Sequence, residues 1–143
     1  MRKRVLAVAS SGGHWQQLML IRPAFAGHEV HFATTLDGVP GAVRVPDCNR
    51  DTPLAMLRCA GTMAALVWRL RPQVIVTTGA LPGMLALLMG RVIGARTIWL
   101  DSVANAEAMS MSGRIAGRFA HHRLSQWDHV ARAEGAEFAG AVL

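Results

Sequence analysis

Short apolar runs alternate along the chain with longer segments whose apolar residues recur at helical spacing. The short runs predict strands, which cover Arg4–Ala9, Glu29–Thr34, Ala42–Val45, Gln73–Thr77, Ala95–Leu100 and His122–Ser125. The longer segments predict helices over Trp15–Phe25, Leu54–Leu70, Met84–Ile93, Ser112–Ala120 and Trp127–Ala133. This alternation is typical of an α/β fold, a Rossmann-like doubly wound parallel sheet with helices on both faces.

Turn sequences follow four of the predicted strands directly. They are Ser10–His14, Thr34–Asp37, Thr77–Leu81 and Asp101–Asn105. In an open parallel sheet, ligands bind at the carboxyl ends of the strands. We therefore expect these four segments to lie along one functional edge.

The loop Ser10–His14 joins the first strand to the first helix. Two adjacent glycines permit a tight turn and close approach of a ligand, and the helix N-terminus behind them offers free N–H groups. This suits a phosphate or a sugar hydroxyl, with Ser11, Gly12 and Gly13 as contacts. Neither a dinucleotide fingerprint nor a P-loop can be read there, and a tight turn without a ligand remains an alternative.

Two side chains at this edge are candidates for catalysis. His14 opens a helix, whose positive end disfavours imidazolium, so its ring is expected to be neutral and able to accept a proton. Asp101 follows an apolar strand and would place a carboxylate at the site. A histidine without a chemical role and a capping aspartate are the alternatives.

Further polar residues lie in the same turns. Thr78 and Gly79 form a second glycine–hydroxyl turn, and Ser102 and Asn105 follow Asp101. We predict substrate-binding roles for these four residues. A capped turn and a solvated loop explain them equally well at this stage.

Length and composition limit the organisation of the chain. Its 143 residues predict one domain spanning 1–143, and 52% apolar with 17% charged residues excludes a disordered chain. Two cysteines, Cys48 and Cys59, do not make a disulfide scaffold and are expected to be reduced thiols. No metal-binding spacing is present, so neither a metal nor a cofactor is predicted.

The net charge of +6 is concentrated in the first 100 residues, which carry 11 Lys and Arg against 4 Asp and Glu. Such a surface attracts anions. Nucleic acid is not expected, because the chain has one lysine, no tyrosine and no basic run beyond Arg2-Lys3-Arg4. Basic residues placed singly in apolar segments favour an anionic membrane surface.

Membrane attachment is expected to be peripheral. The basic start Met1–Ala9 has too short an apolar run for a signal peptide, and the uncharged stretch Pro72–Gly90 contains turn residues, so no transmembrane helix is predicted. Helix Leu54–Leu70 is apolar around most of its circumference, with Trp68 and arginines near one end. Such a helix faces lipid, a partner subunit or a core.

Four segments together resemble one family in their order and spacing. They are Ser10–Trp15 with Gln17-Leu18, Val76–Ala80 with Pro82-Gly83, Ile98–Ala104 with Met109–Arg114, and Ser125–Trp127. The sequence resembles the acceptor-binding, membrane-associated N-terminal half of split GT-B glycosyltransferases. These include the PssD-type exopolysaccharide glucuronosyltransferase subunits and the membrane-anchoring subunit of the dolichol-linked N-acetylglucosaminyltransferase. MurG is a more distant, fused relative.

The resemblance implies one subunit of a two-component inverting glycosyltransferase on the cytoplasmic face of the membrane. This chain would bind a lipid-linked saccharide acceptor, and a donor-binding subunit would supply the UDP-sugar. Inverting transfer needs a base for the acceptor hydroxyl, and His14 and Asp101 lie at the motif positions that could provide or orient that base. The family usually has Glu where Asp101 stands, and its GT-B enzymes generally work without a metal.

Two other functions remain open. The chain could be a non-catalytic membrane anchor that activates a catalytic partner. It could also be a stand-alone nucleotide-binding protein, although no acidic residue follows the second strand to hold a ribose.

Overall fold

The computed structural model describes residues 2–49 and 51–142, which form one parallel sheet covered by helices. The strands are β1 (Arg4–Ala9), β2 (Glu29–Thr34), β3 (Ala42–Arg44), β4 (Val74–Thr77), β5 (Arg96–Leu100), β6 (His122–Ser125) and β7 (Glu137–Phe138). Their order is β3-β2-β1-β4-β5-β6-β7, and every pairing is parallel. The chain turns back beside β1, as in a Rossmann-like doubly wound sheet, so the predicted fold class is confirmed.

The helices cover the two faces of the sheet unequally. They are α1 (Gly13–Ile21), α2 (Pro53–Leu70), α3 (Ala80–Val92), α4 (Met111–Ala116) and α5 (Asp128–Glu134). Buried apolar side chains of α2, α3, α4 and α5 belong to one large core on one face. A smaller core on the other face contains Leu18 of α1 packed on Ala7 and Ala9 of β1. Helices thus lie on both faces, four against one.

Strand β5 shows how the sequence produces this asymmetry. Thr97 and Trp99 are fully buried on the face of the large core, whereas Ile98 and Leu100 between them are half-buried. Successive side chains of a strand point to opposite faces, so this alternation separates a closed face from a more open one. The apolar run predicted the strand but not this difference between its two faces.

Several predicted boundaries need correction. The first helix ends at Ile21 and continues as a 3-10 turn over Arg22–Phe25, because Pro23 cannot donate a helical hydrogen bond. Helix α4 ends at Ala116 rather than Ala120, and α5 runs one residue later than predicted. Strand β7 was not predicted, since two residues carry no recognisable pattern.

The start of α3 was also predicted too late. The helix begins at Ala80 rather than Met84 and includes Pro82 and Gly83, which were expected to form a turn. Proline is tolerated in the first turn of a helix because its missing N–H has no partner there anyway. Gly83 lets this turn lie against β4, since an added Cβ would stand 2.0 Å from Thr77 Oγ1.

Thr52 and Pro53 stand at the predicted start of α2, but the capping differs from the prediction. The Thr52 hydroxyl donates to the carbonyl oxygen of Asn49 at 3.0 Å and accepts no hydrogen bond from the helix. The helix ends at Leu70. Arg71, the next residue, adopts a left-handed conformation with φ 49° and places its guanidinium 3.7 Å from the centre of the Trp68 ring.

The two cysteines are free thiols buried against each other between the loop after β3 and helix α2. Burial, and the hydrogen bond that the Cys59 thiol donates to Cys48, raise the pKa of Cys59 to about 12. Within 2–49 and 51–142, no helix combines the length and apolar character needed to cross a bilayer.

Candidate functional site

The loops after β1 and β4 are joined at the carboxyl edge of the sheet. The His14 ring nitrogen Nδ1 lies 3.0 Å from the carbonyl oxygen of Thr78, and the Thr78 hydroxyl donates to the carbonyl oxygen of His14 at 2.5 Å. Gly79 makes this contact possible, because an added Cβ would lie 2.6 Å from the His14 ring. The structure thus brings together three predicted site residues, His14, Thr78 and Gly79.

This contact fixes the proton arrangement of the neutral His14 ring. A carbonyl oxygen can only accept, so Nδ1 must carry the hydrogen. Nε2 then keeps its lone pair and is the nitrogen that can accept a proton. The ring is half-buried. The geometry therefore matches what a general base requires.

Helices α1 and α3, which follow the two joined loops, have no side-chain caps. Gly12 (φ 70°) precedes α1 and Gly79 (φ 134°) precedes α3, and neither helix receives a side-chain cap hydrogen bond. The first N–H groups of a helix lack intrahelical partners and carry partial positive charge. Ser11, Gly12 and Gly13 are exposed, so this edge offers backbone donors suited to an anionic group.

Asp101 is 2% exposed and has four hydrogen-bond donors around its carboxylate. Oδ1 accepts from Trp99 Nε1 at 3.0 Å and from Ser110 Oγ at 2.7 Å. Oδ2 accepts from Asn105 Nδ2 at 2.9 Å and from Ser110 N at 3.1 Å. Each carboxylate oxygen already accepts two hydrogen bonds, so this arrangement favours a positioning role for Asp101. Asn105 belongs to the same hydrogen-bonded cluster.

Two buried glutamines link the loop after β5 to helix α1 and to the end of β6. Gln17 donates to Ser102 Oγ at 3.2 Å and accepts from Val103 N at 3.0 Å. Gln126 donates to Gln17 Oε1 at 2.6 Å and to the Asp101 carbonyl oxygen at 3.0 Å. Neither glutamine was predicted as a site residue, although both lie in the segments that carry the resemblance.

Glu134 of α5 holds the end of the loop after β5. It accepts from Met109 N at 2.7 Å and receives two hydrogen bonds of 3.1 Å from Arg114 Nε. The Met109 N–H and, more weakly, Arg114 lower the pKa of Glu134 below its ordinary value of 4.5. Sequence analysis did not identify this residue, because its partners lie 20 and 25 positions away.

Replacing Glu134 by glutamine is therefore expected to remove stability in a pH-dependent way. A lowered carboxyl pKa contributes stability above the ordinary value, and this is lost as the pH falls through the lowered pKa. The melting temperatures of wild type and Glu134→Gln should differ at pH 6 to 8, roughly, and converge below roughly pH 4. Circular dichroism over this range measures the difference. A constant difference down to about pH 3 would contradict the argument, and the exposed Glu107→Gln provides a control.

An apolar groove of ≈ 540 Å³ opens next to the start of α3. It is lined mostly by methionine, leucine and other apolar side chains of α2, α3 and α4 and by the loop after β3, namely Cys48, Asn49, Met56, Ala80, Leu81, Met84, Leu85, Met111, Ser112 and Ile115. Its Ala80 end adjoins Gly79, which contacts the His14 ring.

The outer face of α2 is apolar and exposed. Leu54, Leu57 and Trp68 are 78%, 69% and 63% exposed, and Arg58 and Arg69 are exposed among them. The opposite face of α2 faces the core, in which Cys59, Met63, Leu66 and Val67 are buried. In residues 2–49 and 51–142, no cluster of three or more His, Cys, Asp or Glu is arranged to hold a metal ion.

No protein-family model matches the chain, and no curated protein matches it in sequence. Solved structures do match its fold. MurG of Acinetobacter baumannii is 14% identical, with a TM-score of 0.74 over 97% of this chain and 44% of that one. UDP-N-acetylglucosamine 2-epimerase of Rickettsia bellii is 11% identical, with a TM-score of 0.78 over 99% of this chain and 46% of that one.

A glycosyltransferase of Rickettsia africae also matches, with 12% identity and a TM-score of 0.67 over 95% of this chain and 41% of that one. The chain spans less than half the length of each of these three proteins. At such identities the likeness concerns the fold alone. The chain therefore has the Rossmann-like α/β fold of one half of the GT-B proteins that it matches.

Proposed function

We propose that this chain is the acceptor-binding half of a two-component inverting glycosyltransferase, which transfers a sugar from a UDP-sugar to a lipid-linked saccharide. The observation that supports this proposal most strongly is the His14 ring, oriented by Thr78 with Nε2 free to accept a proton. The fold neighbours agree in kind, since one is named a glycosyltransferase and another acts, by its name, on a UDP-sugar.

In this reaction, His14 accepts the proton of the acceptor hydroxyl on Nε2 while that oxygen attacks the anomeric carbon of the donor sugar. The bond between the anomeric carbon and the diphosphate oxygen breaks, and its electron pair leaves with UDP. The ring becomes an imidazolium, which the Thr78 carbonyl stabilises by accepting from Nδ1–H. The uncapped starts of α1 and α3 would bind the anionic diphosphate that links the acceptor saccharide to its lipid.

Asp101 has a different role in this proposal from the one predicted for it. Its carboxylate holds Ser110 and Asn105, and the Asp101 carbonyl accepts from Gln126, so that the loop after β5 is fixed against α1. His14 alone is then the base, and Asp101 is a positioning residue.

The outer face of α2 would attach the protein to the cytoplasmic surface of an anionic membrane. Exposed leucines and a tryptophan insert among the lipids, and arginines attract the headgroups. Leu57→Glu should reduce flotation with vesicles containing anionic lipid by at least about tenfold, since it removes about 1.5–3 kcal/mol of leucine burial. Leu20→Glu, on α1 and on the opposite face of the sheet, is the matched control. Equal flotation of the two variants would refute attachment through α2.

Reconstitution tests the enzymatic proposal. The chain is co-expressed with a candidate donor-binding subunit, and the purified complex receives radiolabelled UDP-glucose, UDP-glucuronic acid or UDP-N-acetylglucosamine together with extracted polyprenyl-linked saccharides. Label should move into the lipid fraction for one donor. A stable complex that transfers no sugar from any donor would contradict the proposal. Tight NAD or nucleotide binding by the isolated chain would favour a nucleotide-binding protein instead.

A further inference from the structure

A shallow groove, here called the α1 groove, runs beside helix α1 over strands β2 and β3. Two adjoining cavities of ≈ 610 and ≈ 380 Å³ form it. They share four lining residues, Met19, Arg22, Val30 and Phe32. The smaller cavity begins at Trp15 and the loop between β2 and β3, and the larger one reaches His28, just before β2. The α1 groove therefore extends from the edge of the candidate site to the opposite edge of the sheet.

Three aromatic rings line the α1 groove. Trp15 and Phe32 meet edge to face with their ring centres 6.1 Å apart, and Phe25 lies farther along. All three residues are half-buried, so part of each side chain remains accessible. The face of an aromatic ring is electron-rich, and the C–H groups on one face of a pyranose ring pack well against it. An open groove with such rings suits a ligand that stacks by one flat side, as a sugar does.

The polar side-chain groups of the α1 groove are hydrogen-bond donors. The exposed guanidinium of Arg22 lies over the Phe32 ring, 5.4 Å from its centre, and has no hydrogen-bond or ion-pair partner within 2–49 and 51–142. The Trp15 Nε1–H has no acceptor among the same residues. His28 Nδ1 accepts from Lys3 N at 3.0 Å, so Nε2 carries the hydrogen of the neutral ring. Among the residues that line the two cavities, none is acidic.

This set of groups fits a ligand that is rich in oxygen acceptors and negatively charged. A carboxylate pairs with a guanidinium through two parallel hydrogen bonds, which are stronger than neutral ones. A nucleobase fits less well, because these side chains offer no acceptor for its N–H groups. A second copy of this chain would bring its own Arg22, and like charges oppose such pairing. The outer face of α2 lies on the other side of the sheet, so a flat bilayer bound there does not reach the α1 groove.

We propose that the α1 groove binds an acidic oligosaccharide, whose sugar rings lie on Trp15 and Phe32 and whose carboxylate pairs with Arg22. The nine residues of α1 span about 13 Å, which is long enough for a short saccharide chain. The His14 ring lies against Gly79, whereas the neighbouring Trp15 packs on β2. This saccharide is therefore separate from the sugar that reacts at His14, and the site rests on the groove and not on the proposed function.

Calorimetric titration of the full chain with three probes tests this proposal. Trigalacturonic acid carries both sugar rings and carboxylates, maltotriose carries neutral sugar rings, and citrate carries carboxylates without a sugar. Trigalacturonate should bind, and maltotriose and citrate should each bind at least about tenfold more weakly. Uridine monophosphate serves as the nucleotide probe and should also bind more weakly than trigalacturonate.

Two variants examine the contacts, with the melting temperature of each recorded as a check of folding. Arg22→Gln should weaken trigalacturonate binding by at least about tenfold and leave maltotriose binding unchanged. Trp15→Ala should weaken both. Arg58→Gln, equally exposed on α2, is the matched control and should change neither.

The proposal fails if trigalacturonate does not bind at about 1 mM. Binding of citrate or uridine monophosphate as tight as that of trigalacturonate would also overturn it, as would equal effects of Arg22→Gln and Arg58→Gln. None of these measurements depends on sugar transfer, so each outcome leaves the enzymatic proposal to its own test.

Discussion

Replacing His14 by alanine is expected to lower the kcat of sugar transfer by the reconstituted complex about 10²–10⁴-fold, which is the usual contribution of a positioned general base. The fold should be kept, because the His14 ring is only half-buried and its removal leaves one buried carbonyl oxygen, that of Thr78, without its ring partner. The kcat is measured with saturating acceptor and donor, alongside the melting temperature.

Gly79→Ala gives a second test of the same geometry. The added Cβ would stand 2.6 Å from the His14 ring, and the residue has a φ of 134°, so both the loop and the ring must shift. Transfer should fall while the histidine itself is still present. Gly61→Ala, on α2 and with open space where its Cβ would stand, is the matched control.

Full activity of both His14→Ala and Asp101→Ala would favour the non-catalytic anchor.

Replacing Asp101 by alanine is expected to lower the free energy of unfolding by about 3 kcal/mol, because it leaves the buried Trp99 Nε1 and three half-buried donors of Ser110 and Asn105 without an acceptor. For a chain of this size, this corresponds to a fall in melting temperature of about 10 °C. Asp101→Asn should also destabilise the protein, because the NH₂ group of asparagine would face hydrogen-bond donors in place of one carboxylate oxygen. Thermal and urea unfolding measure both changes.

The same variants separate a positioning role of Asp101 from a catalytic one. A base replaced by its amide would lose turnover with an unchanged melting temperature, and that result would contradict the positioning role. Glu107→Gln, exposed in the same loop, should change neither quantity.

The meeting of His14 with Thr78 follows directly from the sequence. Chain order and apolar runs place both residues after neighbouring buried strands, and parallel strands end at the same edge. The alternative roles of Asp101 could not be separated in this way. The hydrogen bonds that occupy its carboxylate come in part from Trp99 and Ser110. Ser110 comes close to Asp101 only because α4, which follows it, packs there. The sequence predicts a turn at Pro82, because local pattern does not distinguish a proline in the first turn of a helix from one in the loop before it.

The buried thiols of Cys48 and Cys59 can be used to measure local unfolding of the protein. The thiolate is the form that attacks an alkylating reagent. A pKa of about 12 leaves Cys59 with about 10³-fold less thiolate at pH 8 than the ordinary pKa of 9.0 would. Cys59 is then modified only when α2 separates from the sheet. The rate at which mass is added therefore measures how often α2 separates from the sheet, in the isolated chain or with lipid present.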